Sequence, residues 1–331
     1  MAVTINDFTA GVVIRESQSS GKLTIYSLFD GTDGAGEDQK LSDYLLLEEA
    51  LDGGLFTIEE VSEAGDVNAV FVSNMTGKPV LILDGEEIVG AKQNRMVNAS
   101  ILVAADKKTE VPVSCVERGR WNYKTDKFAK SDAFGYSTLR RQKAEQVSHS
   151  LHARQGFAAD QGAIWQEIDR AQASMGTSSP TDALHETYDN YDEEIYKMTE
   201  DLKALPGQIG LAVYINNRFV CLDLFDKPQT LEKLWSRLLR SYAMEALNTK
   251  GRSSSSPRPA PEKIIEGIDQ SEYLTYPSVG LGRDLRFKGQ GVVGAGLILD
   301  EQIVHLSVFG EESDGHRGNI SSPHRRRRNM G

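Results

Sequence analysis

The chain has 331 residues, of which 39% are hydrophobic and 26% charged, and its formal net charge is −11. That length and balance allow a sizeable buried core and exclude a chain dominated by disorder. The acidity argues against nucleic-acid binding by the body, more so because four of the positive charges, Arg325 to Arg328, stand together near the C-terminus.

Met1 to Phe8 has no basic start followed by an apolar core, and no apolar run is long enough to cross a bilayer, so a cytoplasmic protein with no membrane partner is expected. Thr9 to Arg15 and Leu23 to Leu28 alternate on either side of Ser-Gln-Ser-Ser-Gly and predict a hairpin. The loop from Asp30 to Asp38 resembles a calcium loop only in composition. It lacks the ligand order and closing glutamate, and reads as solvated. Ser42 to Leu51 predicts a short helix ended by Gly53-Gly54, and Phe56 to Val61, Ala69 to Asn74 and Val80 to Leu83 predict strands.

Val97 to Val103 and Val111 to Val116 are β-branched runs separated by a polar stretch, which predicts a hairpin centred near Lys107. That register sets Val97 opposite Glu117 and Ala99 opposite Cys115, and brings Arg95 one diagonal step from Glu117. An apolar face ending in Gln93, Arg95 and Glu117 reads as the floor of a polar cleft or as a structural ion pair closing a sheet end. Gly85, Gly90 and Gly119 permit close backbone approach or positive φ there.

From Ser131 onward the periodicity is helical. Leu139 to Leu151 and Ala163 to Ala173 are amphipathic, and Asp182 to Leu202 reads as one acidic helix after a break at 176 to 180. His149 and His152 stand three apart with no carboxylate completing a ligand set, so no metal site is expected. Gly210 to Val213 and Arg218 to Leu224 flank the turn signal Asn216-Asn217. Thr230 to Leu247 is the clearest helix, with Thr230 as its cap and a wide apolar stripe. Residues 249–261 form a linker, and Gly280 to Lys288, Gly291 to Leu299 and Gln302 to Phe309 return to strand. These are expected to complete a sheet with the 210–224 hairpin. Gly-Val-Val-Gly-Ala-Gly at 291–296 lacks the helix that a dinucleotide-binding turn needs. Past Gly310 a basic, mobile tail is expected. Cys115 and Cys221 lie in apolar runs and read as buried, reduced thiols.

These elements predict an α+β fold forming one compact body over residues 1–310. A sandwich-like, antiparallel β-rich half spans 8–123, a helical middle 131–203, and a helix-plus-hairpins unit 205–310. Clustered helices exclude a doubly wound parallel sheet.

Asp84 to Tyr123 carries more polar functionality than a structural hairpin requires. Glu117, Glu86 and Glu87 are the candidates for general acid or base. Lys92, Arg95 and Arg120 offer anion contacts, Gln93, Asn94 and Asn98 hydrogen bonds, and Trp121 and Tyr123 rings for stacking on a base.

Asp84-Gly-Glu-Glu-Ile-Val-Gly-Ala-Lys-Gln-Asn-Arg95, Asn98 to Val103, and Val113-Ser-Cys-Val-Glu-Arg-Gly-Arg-Trp121 resemble the signature of the ADP-ribosylglycohydrolase- and rhodanese-phosphatase-associated protein domain family. Gly210-Leu-Ala-Val213, the hairpin end at Phe225, and Leu239-Arg-Ser-Tyr-Ala-Met-Glu-Ala246 extend the likeness over most of residues 8–310. The resemblance implies genomic company with enzymes acting on ADP-ribose and related NAD-derived molecules. The expectation is an enzyme on a small phosphate-bearing, nucleotide-like metabolite of the ADP-ribose or NAD-derived class, hydrolytic through activated water, with its cofactor left open. The alternative is a non-catalytic binding or sensor module for a nucleotide-derived ligand or a protein partner.

Overall fold

A computed structural model describes Thr9 and residues 11–31, 43–251 and 257–311. The expected solvated loop, the serines of the linker and the basic tail fall outside these residues. No described helix is long and apolar enough to cross a membrane.

The chain opens with β1 (Val12–Ser20) and β2 (Leu23–Asp30), turned at Gly21, then β3 (Leu45–Leu46) and helix α1 (Leu47–Asp52). Short strands follow: β4 (Phe56–Glu60), β5 (Ala69–Asn74), β6 (Val80–Ile82), β7 (Glu86–Gly90), β8 (Arg95–Val97), β9 (Ile101–Val103), β10 (Lys107–Cys115) and β11 (Phe128–Phe134). The helices α2 (Ser137–His152), α3 (Gln161–Met175), α4 (Leu184–Asp189) and α5 (Asp192–Thr199) form the middle. Then come β12 (Gln208–Ile215), β13 (Arg218–Phe225), the long helix α6 (Pro228–Asn248), α7 (Pro261–Asp269), and β14 (Glu272–Pro277), β15 (Arg283–Gly289), β16 (Val292–Leu299) and β17 (Gln302–Gly310).

The α+β expectation holds, with antiparallel pairing except between β3 and β6. The N-terminal hairpin, however, belongs to the far sheet. Its β2 pairs with β12, and one eight-stranded sheet runs β1-β2-β12-β13-β17-β16-β15-β14. A six-stranded sheet runs β11-β7-β8-β10-β5-β4 and a three-stranded one β3-β6-β9. The last two enclose a core of Val70, Val72, Val80, Ile82, Ile101, Val103, Val111 and Val113, which is the sandwich-like half. On the eight-stranded sheet, α6 covers one face through Leu231, Leu234, Leu238 and Tyr242, and α7 covers the other through Ile264 and Ile268. The hairpin turn at Asn216-Asn217 has both residues left-handed, as a two-residue turn matched to strand twist requires.

Four details differ from the sequence reading. The first concerns the central hairpin, where Val113 faces Val97 and Cys115 faces Arg95, so the register lies four residues from the one expected. The polar residues Lys107 to Glu110 are strand, paired with β5, because that stretch keeps a solvated face. Asn98 to Ser100 interrupts the other run, and Ile101 to Val103 crosses to pair with β6. Pro112 sits where β10 changes partner from β5 to β8, a position that tolerates a missing donor. Secondly, Ser131 lies in β11, and helix begins only at Ser137. Thirdly, the acidic helix is two helices, broken at Asn190-Tyr191. Finally, Lys227 takes the cap position of α6 with Pro228 after it, while the Thr230 hydroxyl meets the Tyr44 hydroxyl at 2.6 Å.

Between the two halves lies a buried ionic network. Arg140 on α2 donates to both Asp223 oxygens, at 3.0 and 2.7 Å, and lies 3.6 Å from Asp84. Lys143, one turn on, reaches Asp84 at 2.8 Å. Asp223 also accepts from Tyr242 at 2.5 Å and Ser307 at 2.9 Å, and His305 bridges it, at 3.2 Å, to Ser100, at 2.8 Å. Burial opposes the Asp223 charge, yet Arg140 and His305 outweigh it and hold the carboxyl well below its ordinary range. This serine–histidine–aspartate succession is buried throughout and is knotted into Arg140 and Tyr242, so it fastens sheet to helix.

Candidate functional site

A cavity of about 500 Å³ opens where β7, β8 and β11 meet α4, with Asn94, Glu117, Ser131, His185, Tyr188 and Asp189 among its lining residues. Three local features build it. Strand β11 slips register against β7 between Lys130 and Phe134, and this bulge presents Ser131, Asp132 and Ala133 to the cavity. The turn into β8 needs Gly90 at φ 115°, where an added Cβ would lie 2.4 Å from the Thr125 hydroxyl. The start of α4 is tied to the end of β10, since Leu184 N–H donates to Val116 O at 2.9 Å and Gly119 N–H to Thr181 O at 2.8 Å.

Asn94 is the hub. Its Oδ1 accepts from Gly90 N–H at 3.1 Å and from Arg120 Nη2 at 3.2 Å, which fixes Nδ2 as the donor end. Nδ2 lies 2.9 Å from His185 Nδ1, so that ring nitrogen accepts and the neutral imidazole carries its proton on Nε2, on the edge remote from Asn94. The Asn94 backbone N–H donates to Glu117 Oε2 at 3.0 Å.

Two carboxyls beside this hub are driven apart. Glu87 is fully buried, accepts from Ser131 Oγ at 2.8 Å, and has Oε1 at 3.8 Å from His185 Nδ1 with no hydrogen-bond donor on it. Burial pushes it up to about 8; the Ser131 hydrogen bond opposes this, while the charge of Glu117 reinforces it. Burial acts on Glu117 too, but Arg120, the Asn94 N–H and Thr181 outweigh it and bring its pKa below the ordinary value. Arg120 grips it with Nε at 2.9 Å and Nη2 at 2.6 Å. At neutral pH, therefore, Glu87 holds a proton and Glu117 a charge.

Linkage gives this a thermodynamic signature. A carboxyl raised from 4.5 to about 8 binds its proton in the folded state across a window where the unfolded chain has lost it, so its contribution to stability is full below 4.5 and is lost as pH rises toward 8. Glu87→Gln keeps the shape without the titration. Denaturation at about pH 5 and about pH 8 is expected to show the variant losing less stability over that interval, by on the order of a few kcal/mol. An unchanged pH slope would mean that Glu87 is ionised in the folded protein.

The other expected site residues divide into two groups. Arg95 does not pair with Glu117. It is fully buried, lies 3.8 Å from Glu60, donates to Gln93 O at 3.1 Å, and stacks over Trp121 at 5.7 Å. The four-residue register difference carries it away from Glu117. Lys92 donates to the carbonyls of Glu63 and Ala64 between the rings of Trp121 and Tyr123, at 5.3 and 5.1 Å. Arg120 spends its remaining donors on the carbonyls of Gly90, Ala91 and Asn122. All three cations expected to bind an anion thus serve protein oxygens. Gln93 donates to Glu117 O at 3.0 Å, Asn98 accepts from Ser114 and donates to Phe157 O, and Glu86 is paired with Arg237 at 2.5 Å. Trp121 and Tyr123 remain about half exposed, next to Lys124 at the cavity wall.

His185, Ser131 and Lys124 escaped the sequence reading. His185 stands far along the chain from Asn94, in a six-residue helix with no motif of its own, and only the tie between α4 and β10 brings it in. Both thiols are buried and pushed up by that burial, and the described residues hold no cluster of three or more metal-ligating groups. His149 and His152 line a second, open cavity of about 1330 Å³ beside β14 and β15.

No curated protein and no solved structure matches the chain. Residues 11–309 match the model of a family described as the ARG and rhodanese-phosphatase-superfamily-associated protein domain. With that match extending from β1 to β17, and including the hub at Asn94, the chain belongs to the family of ARG and rhodanese-phosphatase-superfamily-associated protein domains.

Proposed function

We propose that the protein is a hydrolase of glycosidic bonds in small nucleotide-like metabolites of the ADP-ribose and NAD-derived class. One observation carries this reading: Glu87 and Glu117, held in opposite protonation states, adjoin one cavity through a shared asparagine. Paired carboxyls of opposite state are what cleavage of a glycosidic bond uses, one as acid and one as fixed negative charge. The family's association with the ARG superfamily favours a ribosyl substrate.

In this mechanism the His185 Nε2–H gives its proton to the leaving atom, and Glu87 replaces it at Nδ1, a step that requires Asn94 Nδ2 to release that nitrogen and the 3.8 Å gap to close. The bond from the anomeric carbon breaks with its electron pair going to the leaving atom. Glu117 faces the positive charge that develops on the sugar. Water then adds to the anomeric carbon, and its proton returns through His185 to the Glu87 carboxylate, restoring the acid. Lys124, not Lys92, Arg95 or Arg120, is the cation at the wall without an ion pair among the described residues and so the one open to a phosphate, while Trp121 and Tyr123 are half exposed beside it in sequence, outside the lining and with Lys92 over each ring.

A panel of ribosides with ring-bearing leaving groups, together with NAD and ADP-ribosylated small molecules, tests the reading by product release. Turnover that follows the glycosidic bond is the expected result. A chain that binds members of the panel yet releases no aglycone from any of them is a sensor rather than an enzyme.

A further inference from the structure

We propose that Lys92 and Arg95, flanked by the rings of Trp121 and Tyr123, form a binding site for the phosphate end of a nucleoside phosphate, and that residues 61–68 lie closed over it as a lid. This site does not depend on the glycosidic reading above. Residues 61–68 join β4 to β5, and none of their side chains is buried. Val113 N–H donates to the Asn68 carbonyl at 2.9 Å, but ahead of Asn68 the hydrogen bonds from this loop to the rest of the described chain run through three main-chain carbonyls to two cations. Lys92 Nζ donates to Glu63 O and, at 2.9 Å, to Ala64 O, and Arg95 Nη2 donates to Asp66 O at 3.4 Å. Gly65, at φ 78°, lies against Trp121, where an added Cβ would stand 3.2 Å from the ring. A segment that buries no side chain and rests on three neutral oxygens opens at little cost.

What the loop covers calls for an anion. Among the described residues Lys92 has no carboxylate partner, and Arg95 has only Glu60, at 3.8 Å. The Arg95 guanidinium is wholly buried, and its Nε meets no acceptor. Two cations therefore share one carboxylate, and the loop's own acids, Glu63 and Asp66, leave with it when it lifts. A phosphate group offers charged oxygens where the loop offers neutral carbonyls, and charge-assisted hydrogen bonds are the stronger. Lys92 Nζ stands 5.3 and 5.1 Å from the ring centroids of Trp121 and Tyr123, both half exposed, so an anion bound there carries its attached group to two aromatic rings. A base stacks on such rings, so a nucleoside phosphate meets both requirements and a bare anion only one.

The test uses the full chain with AMP, adenosine, which lacks the anion, and ribose 5-phosphate, which lacks the base. AMP is expected to bind roughly tenfold more tightly than either analogue, and amide hydrogen exchange across residues 62–67 is expected to accelerate when AMP saturates the protein. Lys92→Met should weaken AMP by about tenfold and leave adenosine unchanged. Gly65→Ala strains the closed loop through its positive φ, and should tighten AMP by about threefold. AMP matched in affinity by either analogue, affinity indifferent to Lys92→Met or to Gly65→Ala, or loop exchange unchanged or slowed by AMP each overturns the proposal. So does AMP affinity that falls with Lys124→Met and not with Lys92→Met, because the phosphate then sits at the cavity wall, and the glycosidic reading is left standing. The expected loop response to AMP in a chain that cleaves no riboside supports the lidded site and removes only the reaction.

Discussion

Glu87→Gln is expected to bind ribosides with nearly native affinity and to lose turnover by roughly two to four powers of ten. The amide keeps the volume and the hydrogen bond from Ser131, so binding has no reason to change, whereas the proton that recharges His185 is gone. The pH profile separates this from mere distortion. In the native chain activity should decline above about 8, where the buried carboxyl ionises, and the residual activity of the variant should lack that limb. Retention of more than a tenth of native turnover with the limb intact would show that the proton comes from elsewhere.

The second large effect is on stability. Arg140→Met should cost roughly 3–5 kcal/mol in denaturant unfolding, because it leaves the Asp223 charge buried against an apolar side chain, while Asp84 keeps Lys143. Ser307, Tyr242 and His305 still reach Asp223, but none of them brings the fixed charge and two-point grip of the guanidinium. Arg118→Met makes the control. Arg118 bridges Asp169 and Asp182 at 2.9 and 2.8 Å on the surface, and its loss should cost under about 1 kcal/mol. Similar costs for the two variants would mean that the internal network contributes no more than a solvated one.

How far the fold could be read depends on which interactions are local. The wide stripe of α6 and the turn at Asn216-Asn217 follow from neighbours a few residues apart, and both lie where periodicity and turn chemistry put them. The register of β8 on β10 does not. It depends on Asn98 and Ser100 being claimed by Ser114, Phe157 and His305, and on β9 being captured by β6. Because the error was an even number of residues, the predicted faces survived while every predicted cross-strand partner changed. Arg95 was thereby assigned to Glu117, though Arg120, only three residues along the chain, is the true partner. Glu87, Asn94 and Glu117 stood in the expected polar stretch, but the features that make them a site lie elsewhere. The bulge at Ser131 and the histidine of α4 are joined to them only by the assembled fold.

The pairing of β2 with β12 also governs how the molecule is made. The opening hairpin leaves the ribosome long before Gln208 is synthesised, so it has nowhere native to dock while the sandwich-like half and the helices emerge. The eight-stranded sheet can close only when the last hairpin arrives. Contacts this distant along the chain make folding slow and leave an unpaired strand edge on the nascent polypeptide. Cellular yield should therefore depend on chaperones that shield that edge until translation ends.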